Sequence, residues 1–200
     1  MLNRRTFLAS SAATAGLAAC GDQAISFDGT QRIEGRVDAT RNYMLNNVPM
    51  TQPLLSSAKA VLYMPLLTEA GFGVGGAYGE GALRIGDNTV AYYSAAKASI
   101  GLQAGAQQYA HALFFNTDAA LNDFRSRPVW SASADAFYAL PATGMEIGRD
   151  TLTMQYPIIA VIFGQSGLMA GAAIEGTKYT RIAGIGAAGA TSVIPGLNRG

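Results

Sequence analysis

Between Gly71 and Gly81 the chain reads Gly-Phe-Gly-Val-Gly-Gly-Ala-Tyr-Gly-Glu-Gly, and no other stretch restricts the fold so severely. A helix is excluded there, because each interior glycine costs about 1 kcal/mol relative to alanine. Read at the strand period of two, Gly71, Gly73, Gly75, Ala77, Gly79 and Gly81 share one face, and Phe72, Val74, Gly76, Tyr78 and Glu80 share the other. One face is therefore bare backbone. Glycine inside a strand costs roughly 0.5–1 kcal/mol relative to alanine, so the pattern predicts a packed element or a ligand lying directly against that face. Gly71, Gly73, Gly75, Gly76, Gly79 and Gly81 form this structural motif, and a branched side chain at Gly75 is expected to overpack it.

The same glycines match a dinucleotide-binding fingerprint at Gly71, Gly73 and Gly76, but the match fails on context. That fingerprint requires a helix opening at its third glycine, whereas Ala77-Tyr78-Gly79-Glu80-Gly81 is a poor helix former. A second match at Gly184, Gly186 and Gly189 has no acidic residue about 20 positions on to hold a ribose.

Around this stretch the pattern is one of strands and hairpins. Ala60 to Met64 is an apolar run that Pro65 closes, Leu83 to Ile85 continues the glycine strand, and Gly86-Asp87-Asn88 is a hairpin turn. Thr89 to Ser94 and Ala98 to Gln108 read as return strands. In the second of these, Gly101 and Gly105 share parity with Gln103 and Gln107, which either line a groove or hydrogen-bond across the sheet. Asn116-Thr117-Asp118 starts a short helix that Pro128 stops. Trp130 opens a strand through Tyr138, and Leu140 to Thr151 has loop chemistry. Ile158 to Phe163 is a buried strand, Gly164 to Gly167 is a turn into Leu168 to Ile174, and Glu175-Gly176-Thr177 turns the chain into Lys178 to Ile182.

The N-terminus reads differently. Asn3-Arg4-Arg5-Thr6-Phe7-Leu8 looks like a twin-arginine signal, followed by a small-residue apolar core too short to span a bilayer as a helix. Leu17-Ala18-Ala19-Cys20 resembles a bacterial lipobox, so residues 1–19 are expected to be removed and Cys20 to carry the acyl anchor. Cys20 is the only cysteine, which rules out an internal disulfide despite an oxidising destination. Residues 20–31 read as a tether and 32–200 as one domain. Arg32 to Val48 has helical spacing at Val37, Met44, Leu45 and Val48, with Arg32, Arg36 and Arg41 among its polar positions. It reads either as a helix covering the sheet or as a membrane-binding element. Pro53 begins a second short helix, and Lys59 stands at its end, where a cation also suits the helix dipole.

Several blocks, in order, carry a family resemblance. Lys59-Ala60-Val61-Leu62-Tyr63-Met64-Pro65, the glycine stretch with Tyr78-Gly79-Glu80-Gly81, Tyr92-Tyr93, Gly101-Leu102-Gln103-Ala104-Gly105-Ala106-Gln107, and Gly167-Leu168-Met169-Ala170-Gly171 with Glu175-Gly176 resemble the SYLF domain over about Arg32 to Arg181. The resemblance implies a lipid-binding module, of a kind found in bacterial exported proteins and in eukaryotic proteins that bind phosphoinositides and actin. On that basis Arg32, Arg36, Arg41, Lys59, Gln103 and Gln107 are the candidate lipid-binding residues.

Strand segments joined by hairpins, rather than alternating with helices, predict an α+β fold: a curved, glycine-rich, mostly antiparallel sheet with N-terminal helices and one short mid-chain helix packed on it. Setting aside Arg4 and Arg5 from the 14 basic residues leaves 12 against 13 acidic ones, which argues against nucleic acid as a partner. His111 is the only histidine, so no metal or Cys-His site is expected, and it reads as structural. Glu80 and Glu175 are the only carboxylates suggestive of acid-base work, and each reads better as a buried glutamate capping backbone amides in a glycine turn. No enzyme activity and no cofactor are expected. The sequence thus points to an exported, lipid-anchored protein at the periplasmic face of the bacterial envelope, binding membrane lipid or presenting an interaction surface. The alternatives are a scaffold lipoprotein without a lipid ligand and an uncharacterised hydrolase.

Overall fold

The computed structural model describes residues 27–49, 51–133, 138–141, 156–167 and 174–184. The expected signal, Cys20 and the start of the expected tether therefore lie outside the described residues, as does most of the segment from Leu140 to Thr151 and the run Leu168 to Ala173. The elements are α1 (Phe27–Asn47), α2 (Thr51–Ser57), β1 (Ala60–Ile85), β2 (Asn88–Phe115), α3 (Asp118–Ser126), β3 (Val129–Ser131), β4 (Tyr138–Pro141), β5 (Ile158–Gly167) and β6 (Lys178–Gly184). The fold is α+β, with a curled, mostly antiparallel sheet.

β2 is the middle of that sheet. β1 pairs along one edge of it from Ile85↔Asn88 to Ala60↔Phe115. The other edge is shared, with β6 along residues 91–96 and β5 along 107–115. β3 lies outside β6, and β4 runs parallel to β5 as the only parallel pair among the described strands.

Four expectations change here. Pro65 does not end a strand: it sits in an irregularity between Met64 and Leu67, where a bulge accommodates a residue with no N–H to give. The bulge also switches parity, so that Met64 before it and Leu67 and Glu69 after it are all buried. The two return strands are one strand, β2, because Ala95 to Lys97 keep their partners on β1. The expected turn at Gly164 is instead a point within β5, where Gly164 takes a φ of 63° and the pairing with β2 slips between Gln108 and Ala110. α1 begins at Phe27, so the described end of the tether is helical.

The hairpin of β1 and β2 would reach about 85 Å if straight, but it doubles over on itself. A Cβ on Gly79 would strike the Leu66 carbonyl and come within 2.9 Å of Leu67 Cδ1, and one on Gly81 would strike the Tyr63 carbonyl and stand 2.6 Å from Met64 Sδ. A Cβ on Gly71 would lie 2.6 Å from the Cα of Gly75. The bare face is thus closed by the first half of its own strand, and the crease falls at residues 71–75.

Doubling the sheet gives it two buried sides. The inner one gathers Leu62, Met64, Leu67, Tyr93, Tyr109 and Phe115 with Phe124 of α3, Trp130 and Tyr179. The outer one is closed by Ile33, Val37 and Met44 of α1 against Val61, Tyr92, Phe114 and Ile159. α3 starts where the sequence places it, with the Thr117 hydroxyl accepting from Ala120 N, and stops before Pro128.

Candidate functional site

The position of α1 is set by one arginine. Arg84, near the end of β1, is buried, and its guanidinium donates to Asp38 Oδ1 at 2.7 Å, Glu34 Oε2 at 2.6 Å and the Thr89 hydroxyl at 3.2 Å. The Tyr92 hydroxyl donates to the other oxygen of Glu34 at 2.7 Å. Burial works to raise the Glu34 pKa, but the bonds from Tyr92 and Arg84 outweigh it and hold the carboxyl below its usual value. Burial and the Glu34 carboxylate together push Tyr92 up to about 12. Such a fork uses the planar geometry of guanidinium, which lysine cannot reproduce.

This clamp decides which side of α1 faces out. Ile33, Val37 and Met44 turn inward, and Arg32 and Arg36, one turn apart, are exposed. Arg32 Nε reaches only the backbone carbonyl of Asp28, at 3.4 Å. Tyr43 continues the exposed stripe and stacks on Phe163 with ring centroids 6.2 Å apart.

The other candidates disperse. Arg41 bridges to Asp87 in the hairpin turn at 3.0 Å, and Lys59 lies 3.9 Å from Asp118 at the start of α3. Gln107 is buried and donates across the strand pair to Glu69 Oε2 at 2.9 Å, so of the two readings open to it the cross-sheet bond holds. The side chain of Gln103 lies outside the described ones. The structure therefore keeps Arg32 and Arg36 together and ties Arg41, Lys59 and Gln107 into the fold.

The carboxylates correct a further expectation. Glu80 is exposed and accepts from the Tyr78 hydroxyl at 2.9 Å, and Glu175 is exposed in the turn before β6. The buried glutamate is Glu69 instead, which the sequence concealed because it sits at an inward position only once the Pro65 bulge has shifted the parity. Arg84 was missed for a similar reason: its partners lie 46 and 50 residues away.

His111 is fully buried in the inner core. Its Nε2 and the Tyr179 hydroxyl share a hydrogen bond of 2.7 Å, and burial pushes its pKa down to about 3. Tyr109, on the same side, is pushed up to about 12 by burial and the nearby Glu69 charge. At the crease, Phe72 and Val74 stay out of both cores and are 86% and 72% exposed. Among the described residues, no three His, Cys, Asp or Glu side chains gather as a metal ion would need, and no helix is long and apolar enough to cross a membrane.

Compared with known families, residues 96–183 match Ysc84, described as a Las17-binding protein actin regulator. No curated protein matches the chain.

Proposed function

We propose that the chain, whose residues 96–183 match the Ysc84 (SYLF) family, is an exported lipoprotein, anchored through acylated Cys20, whose domain binds anionic lipid at the periplasmic face of the bacterial envelope. The observation that carries this reading is the clamp at Arg84. By holding Glu34 and Asp38 to Arg84 it leaves Arg32 and Arg36 exposed on one stripe of α1, without an acidic side chain bonded to either among the described residues. Basic residues near an anionic membrane surface contribute about 1 kcal/mol each, so the pair supplies about 2 kcal/mol, roughly 30-fold in partitioning. That is too weak to hold a protein alone, and it suits a domain already kept at the surface by lipid chains, which contribute about 0.8 kcal/mol per buried methylene. The actin-regulating activity in the family description is not carried over, since an exported chain does not meet an intracellular filament.

Two measurements test the proposal. Cys20→Ser should release the protein from the membrane fraction of cells, and the full chain carrying Cys20→Ser should bind vesicles containing phosphatidylglycerol but not vesicles of phosphatidylcholine alone. Retention of the serine variant with membranes would remove the anchor. Failure to bind either vesicle would leave a scaffold lipoprotein instead.

A further inference from the structure

On the inner side of the sheet, away from α1, a different group of residues converges. Tyr93 of β2 and Arg181 of β6 are direct antiparallel partners, so their side chains leave the same face. The Tyr93 ring packs on Phe124 with centroids 4.8 Å apart, and Arg125 follows Phe124 in the last turn of α3. Tyr93 is 1% exposed and its hydroxyl is buried without a hydrogen-bond partner. Arg125 and Arg181 are both exposed, and neither makes an ion pair among the described residues.

A buried phenol with an unused donor is costly, and two unpaired arginines beside it are an uncompensated positive charge. Burial raises the Tyr93 pKa, and the charges of Arg181 and Arg125 both act against that rise. The missing partner is therefore one that accepts from the hydroxyl and carries negative charge. Guanidinium groups bind phosphate-type oxyanions in a fork, and a neutral phenol donates to such an oxygen.

We propose that Tyr93, Arg125 and Arg181 form a binding site for a single phosphate-type oxyanion, with the two guanidinium groups drawn inward over the phenol and the Tyr93 hydroxyl donating to one of its oxygens. The same chemistry is offered by a phospholipid headgroup and by free phosphate. The site shares no residue with the α1 stripe, so it does not rest on the reading of Arg32 and Arg36.

The test uses the full chain carrying Cys20→Ser, titrated calorimetrically with inorganic phosphate at constant ionic strength against a chloride control, and with a short-chain phosphatidylglycerol below its micelle concentration. Binding of either probe should weaken about tenfold in Tyr93→Phe and disappear in Arg125→Gln/Arg181→Gln. Tyr93→Phe should melt at or above the parent temperature, because the hydroxyl it removes has no partner in the free protein. Phosphate bound as well as the phospholipid identifies a free anion as a sufficient ligand, and phospholipid alone identifies the headgroup in its lipid context; both support the site. No heat above the chloride control from either probe, or binding that survives the arginine double substitution, would overturn it.

Discussion

Gly81 lies against the carbonyl of Tyr63 so closely that a methyl group at position 81 would occupy the oxygen's place. The contact joins two parts of one strand separated by the crease, and it explains the glycines as the condition for folding the hairpin double. Gly81→Ala should therefore cost about 3 kcal/mol or more, beyond the 1–3 kcal/mol usual for overpacking, because the atom struck belongs to the backbone and cannot rotate away. Gly35→Ala is the control: it lies exposed in α1 with open space at its Cβ, and should add about 0.5–1 kcal/mol. Denaturant melts of the two variants give the comparison.

Arg84→Lys should cost about 1–2 kcal/mol and Arg84→Ala about 2–3, since Glu34 and Asp38 lose their partner and the outer core loses its cover. Loss of α1 docking should also appear as faster amide exchange in α1 than in β2. An alanine variant as stable as the parent would show that apolar contacts alone hold the helix.

His111 makes stability depend on pH. Its folded pKa, about 3, is below the unfolded value of about 6.5, so between these the unfolded chain binds the proton and the folded one does not. Stability is thus complete above about pH 6.5 and falls as pH drops toward 3, by about 1.4 kcal/mol per unit. Between pH 6.5 and 5, where most carboxylates stay ionised, the loss should be about 2 kcal/mol. His111→Leu should remove most of that slope in urea melts taken across this interval, even though it leaves the Tyr179 hydroxyl without its partner.

Much of this fold was legible in the sequence because it follows from local rules. Thr117 and Pro128 bracket α3, Gly86-Asp87 turns the hairpin, and the alternation from Gly71 to Gly81 announces a face that something must touch. What touches it was not legible, since the contact of Gly79 with Leu66 depends on where a 26-residue strand creases. The Pro65 bulge hid Glu69 by shifting the parity of everything after it, and the Arg84 clamp depends on a helix some 50 residues earlier. Of the candidate lipid residues, the exposed pair Arg32 and Arg36 followed from helical spacing. The ion pairs that occupy Arg41 and Lys59 are tertiary, and no spacing within either segment signals them.

The claim that α1 presents Arg32 and Arg36 to anionic lipid is tested most directly by one titration. Full-length protein carrying Cys20→Ser, with and without Arg32→Gln/Arg36→Gln, is titrated with vesicles of mixed phosphatidylglycerol and phosphatidylcholine at physiological salt, with matching melts to show that both fold. The double variant should partition roughly 30-fold more weakly and melt at the parent temperature. Equal partitioning of the two proteins would contradict the account.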